Sequence, residues 1–147
     1  MKKIGGLENA LKKYKQIKKQ KVRVGIFESA TYAQADKEPL HVAQVAYWNE
    51  YGTPNIPARS FFRKTVRQNK SKWIKNLPVL AKEHGNQKAL SLTGEMIKGD
   101  LVESIMTWTD PPNSKATIAR KGKDAPLRDT VQMSRSIGVE VSDNDES

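Results

Sequence analysis

Residues 45–62, VAYWNEYGTPNIPARSFF, restrict the fold of this chain more than any other segment. They combine aromatic side chains with a glycine, two prolines and an arginine, and they contain no nucleophile or metal-ligand cluster. Gly52 can end a helix in the left-handed conformation, and each proline pushes the residue before it out of the helical region. The segment therefore predicts a helix that ends at Gly52, an extended stretch through Arg59 and a new helix that begins near Phe61.

Side chains at this corner have predicted positions of their own. Ser60 comes directly before the new helix and is a candidate N-cap. Ile56 is expected to cross the core as a plug. Arg59 is expected to reach either Glu50 or a carboxylate of a neighbouring subunit. An internal helix–loop–helix corner and a subunit interface both remain open at this point.

The first half of the chain has three further predicted elements. Residues 7–17 place apolar side chains at helical spacing, with lysines on the other face, inside a basic N-terminal helical segment of residues 1–20. Residues 21–27 alternate between apolar and polar side chains, which predicts a strand. Residues 28–40 lack periodicity and predict a loop, and residues 41–51 predict a short helix.

Two long helices are expected in the second half. The first begins near Phe61, and four apolar residues at helical spacing indicate its buried face. Pro78 is expected to interrupt this helix. The four apolar residues are Phe62, Val66, Trp73 and Leu77. A break is expected at residues 83–87, and the second helix covers about residues 90–108. Gly94 and Gly99 weaken that helix by roughly 1 kcal/mol each, unless they permit close packing.

The C-terminal part is predicted to contain a long loop, residues 109–128, which is functional or becomes ordered on assembly. Asp129 or Thr130 can cap a short helix that extends through Ile137, and residues 138–141 alternate as a last strand. The whole chain, residues 1–147, is expected to be a single α+β domain: a small antiparallel or mixed β-sheet packed against several helices.

Composition limits the classes of function. The net charge is +10, with a basic N-terminal region and an acidic tail at residues 142–147. Absence of cysteine excludes disulfides and thiolate metal sites. No run of apolar residues is long enough to span a membrane, so no membrane partner is expected. The opposite charges of the two ends suit either solvated termini or head-to-tail contacts between copies.

Catalytic chemistry finds little support in the sequence. His41 and His84 lie in different segments without a second ligand at helical spacing. Glu95, Asp100 and Glu103 lie in one helix without paired geometry. The chain has no Gly-x-Ser-x-Gly elbow, and the basic stretch of residues 119–123 lacks Walker spacing. We therefore expect no enzyme activity and no cofactor.

Two blocks of sequence resemble a family of small virion proteins. NEYGT at residues 49–53, followed by IPARSF at residues 56–61, resembles a motif of tail completion, neck or head–tail joining proteins of tailed bacteriophages. TIARKG at residues 117–122 and PLRDT at residues 126–130, followed by SRSI at residues 134–137, is similar to a second block of that family. Ser60 replaces the usual proline of the first block. Val131 replaces a glycine of the second, where glycine would permit a left-handed backbone.

The resemblance implies a structural, non-enzymatic role at the phage neck or the head-proximal end of the tail, also called a tail terminator. It implies an α+β fold and a homo-oligomeric ring, a hexamer or a dodecamer, that binds the connector, other neck proteins and the tail tube. It also implies incidental contact with DNA in the channel. The protein would be made in the cytoplasm of the bacterial host and would end in the virion.

Candidate assembly residues come from both blocks. They are Trp48, Glu50, Tyr51, Gly52, Ile56, Pro57, Arg59, Phe61, Phe62, Arg120, Lys121, Gly122 and Asp129. The alternative function is that of a small basic DNA-binding protein. Its phosphate contacts would come from the lysines of the N-terminal helix, from Arg59, Arg63 and Lys64, and from the basic stretch of residues 120–123.

Overall fold

The computed structural model describes residues 4–16, 19–34, 36–121 and 131–143. These residues form six helices and four strands, so the fold is α+β, as the sequence predicts. In chain order the elements are α1 (Ile4–Gln16), β1 (Gln20–Ile26), β2 (Thr31–Tyr32), β3 (Leu40–His41), α2 (Val42–Tyr51), α3 (Phe61–His84), α4 (Asn86–Thr107), α5 (Lys115–Lys121), α6 (Gln132–Arg135) and β4 (Ile137–Asp143).

The main sheet joins the two predicted strands. β1 pairs with β4 in antiparallel register, from Gln20 opposite Asp143 to Ile26 opposite Ile137. Arg23 and Glu140 face each other in this register and form an ion pair of 2.8 Å. The last strand is therefore confirmed and is longer than residues 138–141. Its final residues include the first part of the predicted acidic tail, while residues 144–147 lie outside the described residues.

Helices α3 and α4 pack against each other in an antiparallel pair. Trp73 Nε1 donates a hydrogen bond of 2.7 Å to Asp100, and Lys72 forms an ion pair with the same carboxylate. α3 continues through Pro78, so the predicted interruption is wrong. Proline removes one helical hydrogen bond, but Pro78 is exposed, and the helix before it is held on α4 through Trp73 and Asn76. The helix ends at His84, within the predicted break at residues 83–87.

The core lies between α2, the start of α3, α4, α6 and β4. Its buried members are Val42, Ala46, Phe61, Leu101, Ile105, Met133 and Ile137. α4 also packs closely on the main sheet at Gly94, because a Cβ there would overlap Cγ1 of Val139 and lie 2.9 Å from Cγ2 of Val22. Close packing therefore explains Gly94. Gly99 has open space around it and no such role.

Three predictions about local structure were wrong. The predicted loop of residues 28–40 contains β2 and the first residue of β3, which pair in antiparallel register. Gly5 and Gly6, which the sequence predicts to be a flexible entry to the N-terminal helix, lie inside α1. The short C-terminal helix ends at Arg135, before Ile137 opens β4. Its predicted caps, Asp129 and Thr130, lie outside the described residues.

Val131 has a left-handed backbone although it is a β-branched residue. It precedes α6 with φ 60° and ψ −6°, in the left-handed region. An L-residue with a Cβ pays roughly 1–2 kcal/mol for this conformation, and glycine adopts it freely. The chain therefore keeps the backbone that glycine would favour and carries local strain.

Candidate functional site

The corner between α2 and α3 begins at Gly52. Its amide donates a hydrogen bond of 2.8 Å to the carbonyl of Trp48, which ends the helix as predicted. The backbone has φ 79° and ψ 169°, so φ is positive but ψ lies outside the left-handed helical region that was predicted. A Cβ at this position would lie 2.9 Å from the amide nitrogen of Ala58 and 3.0 Å from the carbonyl of Ile56. The corner therefore requires glycine for both conformation and space.

Residues 53–56 form a tight turn where an extended segment was predicted. The Thr53 amide donates to the Ile56 carbonyl at 2.8 Å, and the Ile56 amide donates back at 3.2 Å. Thr53 Oγ1 also accepts from the amides of Asn55 and Ile56. Pro54, at the second position, favours such a turn. Ile56 is consequently half-buried beside the corner, Pro57 is exposed, and the predicted core plug is wrong.

Glu50 caps α3 from the last turn of α2. Its side chain is buried, and its carboxylate accepts from the Phe62 amide at 2.9 Å and the Arg63 amide at 3.1 Å. Arg63 Nε donates to the same carboxylate at 2.7 Å. The first turn of α3 holds no acidic residue of its own. Glu50 therefore supplies the negative charge that a helix N-terminus favours.

Ser60 occupies the predicted N-cap position without capping the helix through its side chain. Its hydroxyl donates to the Glu50 carbonyl at 3.3 Å and accepts from Arg63 at 2.8 Å. Arg63 also lies over the Tyr51 ring, 4.5 Å from its centroid. The sequence predicts Arg63 only as a possible phosphate contact. Its bond to Glu50 was missed, because the two residues lie thirteen positions apart and no local spacing links them.

Arg59 holds a second segment against the corner. It is 5% exposed, and its guanidinium donates to the carbonyls of Pro111 at 2.9 Å and Pro112 at 3.0 Å. Its amide donates to the Asn49 carbonyl at 2.6 Å. The arginine that reaches Glu50 is Arg63. Arg59 instead connects the helix corner to the segment that leads into α5 of its own chain.

The aromatic residues divide between core and surface. Phe61 is 2% exposed and belongs to the core, while Phe62 is 37% exposed. The prediction that Phe62 begins the buried face of α3 is therefore wrong by one residue. Tyr47 and Tyr51 are more than half exposed, and their ring centroids lie 4.7 Å apart. Trp48 is half-buried. Tyr47 was missed, although its spacing of four residues from Tyr51 indicates a shared helix face.

The predicted long loop is shorter than expected. After residues 109–114 the chain forms α5, whose start is stabilised by Ser114: its hydroxyl accepts from the Thr117 amide at 3.2 Å. This is the hydrogen bond of an N-cap serine. Arg120 is exposed near the end of α5, and Lys121 ends it. Gly122, Asp129 and the remainder of the predicted loop lie outside the described residues.

A cleft of about 240 Å³ lies beside the exposed aromatic residues. Its walls include Ile26 of β1, Ala43 and Ala46 of α2, and Phe61 of α3. Tyr47, Tyr51 and Phe62 line it too; these three residues are named the aromatic patch below. Glu50 and Arg63 also line the cleft, but they bind each other, and the remaining lining is mostly apolar and open.

Comparison with known proteins gives no relative: no family model, curated protein or solved structure matches this chain. Among the described residues, no helix combines the length and hydrophobicity that crossing a membrane requires.

Proposed function

We propose that this chain is a structural virion protein of a tailed bacteriophage, located at the neck or the head-proximal end of the tail. It completes the tail or joins it to the head as a homo-oligomeric ring, without catalysis. The two sequence blocks support the phage assignment. The observation that carries the assembly role is the aromatic patch on a corner whose polar groups are already satisfied.

The bonding of the corner supports a rigid docking surface. Glu50 and Arg59 use their charged groups on their own chain, at the start of α3 and on the segment of residues 109–114. Such internal bonds hold the backbone shape before any partner binds, which lowers the entropy lost on association. The expected contacts with a neighbour therefore come from the patch and its cleft, and the buried polar residues fix their positions.

The exposure of the patch supports contact with another protein. Tyr47 is 58% exposed, Tyr51 53% and Phe62 37%, and all three border one apolar cleft. Aromatic residues are enriched in the centres of protein interfaces, where they bury large areas at low entropic cost. The partners proposed for this surface are a second copy of the chain, and the connector, neck and tail tube proteins of the same particle.

The test is the mass of the purified chain in solution, measured by light scattering over a range of concentrations. The wild-type protein is expected to reach the mass of a hexamer or a dodecamer. A variant with Tyr47→Ser and Tyr51→Ser is expected to remain at lower mass, because the patch loses both rings.

The matched control is the variant with Ile74→Ser and Val79→Ser. These residues are 58% and 55% exposed on α3, so the control removes exposed apolar area without touching the corner. It is expected to assemble like the wild type. A wild-type protein that stays monomeric at every concentration, or tyrosine variants that assemble normally, would contradict the proposal.

A further inference from the structure

Helix α3 carries an unusual amount of positive charge. Between Phe61 and His84 it has seven lysine or arginine residues and a single carboxylate, Glu83, near its end. The basic residues are Arg63, Lys64, Arg67, Lys70, Lys72, Lys75 and Lys82. The sequence predicts phosphate contacts in the N-terminal helix, at Arg59, Arg63 and Lys64, and at residues 120–123, so the row of cations along the rest of α3 is an addition from the structure.

Four of these residues share one face of the helix. At about 100° per residue, Lys64, Arg67, Lys75 and Lys82 fall within an arc of roughly 80°. Phe61 and Thr65, which are buried, lie outside this arc. All four basic residues are exposed. From first to last they extend about 27 Å along the helix axis, and together they are named the basic ridge.

Carboxylates lie near one end of the ridge, where Lys64 borders a cavity that Asp100, Glu103 and Asp110 also line. Arg63 and Lys72, which flank the ridge, pair with Glu50 and Asp100. Within the described part of the chain, the four ridge residues form no ion pair with a carboxylate; Lys64 lies 5.0 Å from the centroid of the Trp108 ring. Like charges in a row repel one another, and a polyanion that binds along the row removes this repulsion.

A concave site lies at the N-terminal end of the ridge. This cleft of about 440 Å³ is lined by Arg63, Lys64 and Arg67 together with Ser60, Gln68 and Trp108. Among its described lining residues there is no carboxylate. Arg63 is already paired with Glu50, so Lys64 and Arg67 are the two cations at this cleft that can hold an anionic group such as a phosphate.

We propose that the basic ridge binds the phosphate backbone of duplex DNA without sequence specificity. Duplex DNA carries one negative charge per roughly 1.7 Å of its axis, so it can neutralise a straight row of cations of this length. Lysine is depleted in the centres of protein–protein interfaces, yet it supplies three of the four ridge residues. Lysine contacts phosphate as a point charge, and phosphate contacts carry no direct sequence information.

The proposal goes beyond the ring and does not depend on it. The ridge residues differ from the aromatic patch, and binding to DNA is measured separately from mass in solution. If the chain binds DNA through the ridge but never forms a ring, only the assembly proposal is contradicted. If the chain forms a ring but does not bind DNA, only the present inference is contradicted.

The experiment measures fluorescence anisotropy of a labelled, mixed-sequence duplex of about 30 base pairs, between about 50 and 200 mM salt. The test variant carries Arg67→Gln, Lys75→Gln and Lys82→Gln. Each lost phosphate contact lowers the slope of log K against log salt by about 0.9. The triple variant is therefore expected to lose about 2.7 from the magnitude of the slope, and on the order of 100-fold in affinity near 0.1 M salt.

The matched control carries Lys12→Gln, Lys21→Gln and Lys37→Gln, which removes the same net charge from exposed sites off α3. It is expected to keep nearly the full slope, and both variants are expected to keep the wild-type melting temperature. Equal weakening by both triples would overturn the proposal, as would wild-type binding that does not depend on salt. Displacement of the DNA by polyglutamate of equal charge at equal concentration would also overturn it, in favour of an acidic protein partner.

Discussion

Replacement of Glu50 tests how the corner is held. In Glu50→Ala the amides of Phe62 and Arg63 lose their common acceptor, and the Arg63 side chain loses the carboxylate at 2.7 Å. Because the Glu50 side chain is almost fully enclosed, water does not readily replace it. Glu50→Gln keeps the size of the side chain and one acceptor oxygen. Its NH2 group, however, would face the backbone N–H groups at the start of α3, which are donors themselves.

The magnitude follows from these bonds. Loss of a helix cap costs about 1–2 kcal/mol. The bond to Arg63 adds about 1 kcal/mol, after discounting because the arginine side chain is 49% exposed. Glu50→Ala is therefore expected to lower the free energy of unfolding by about 2–3 kcal/mol, and Glu50→Gln by about half of that. For a chain of this length, this loss corresponds to a fall of about 4–12 °C in Tm.

Urea denaturation followed by far-ultraviolet circular dichroism measures the effect, with an unchanged m-value as the sign that compactness is unaltered. Glu95→Ala is the matched control, because Glu95 is exposed on α4. It is expected to change stability by no more than about 0.5 kcal/mol. Equal denaturation midpoints for Glu50→Ala and Glu95→Ala would refute the capping role.

Further variants test other parts of the structure. Gly94→Ala is expected to lower the free energy of unfolding by about 1–3 kcal/mol, since the new methyl group meets the valines of β1 and β4. Gly99→Ala has open space for its methyl group and is expected to stabilise α4 by up to about 1 kcal/mol. Thermal melts of the two variants test the difference. Val131→Gly is expected to raise stability by about 0.5 kcal/mol, because relief of the left-handed strain exceeds the added chain entropy; a lower Tm would count against strain. Arg59→Ala is expected to fold but to free residues 109–114 for proteolysis and to assemble poorly; wild-type cleavage rates and normal assembly would argue otherwise.

The elements that the sequence predicted correctly have strong local signals. Alternation in residues 21–27 and 138–141 predicts β1 and β4, and helical periodicity predicts α2, α3 and α4. Gly52 and Gly85 mark the ends of α2 and α3 through backbone conformations that favour glycine. These signals depend on residues that are close together in the chain, so they can be recognised from a single sequence.

The elements that were missed depend on distant contacts. The continuation of α3 through Pro78 depends on packing against α4, and a local rule for proline cannot include that energy. Arg59 meets two proline carbonyls more than fifty positions away, and Glu50 meets Arg63 across the corner. The sequence indicated that Glu50 and Arg59 matter at the corner but could not assign their partners.

The proposed structural role in a phage virion is tested most directly by locating the protein in purified phage particles from a host in which the chain is made. Gold-labelled antibody against the chain, viewed by electron microscopy, gives the position, and quantitative mass spectrometry gives the copy number. The account predicts label at the junction of head and tail, with a copy number equal to that of a hexamer or a dodecamer. Particles that lack the protein, with all of it left in the infected cell, would contradict the account.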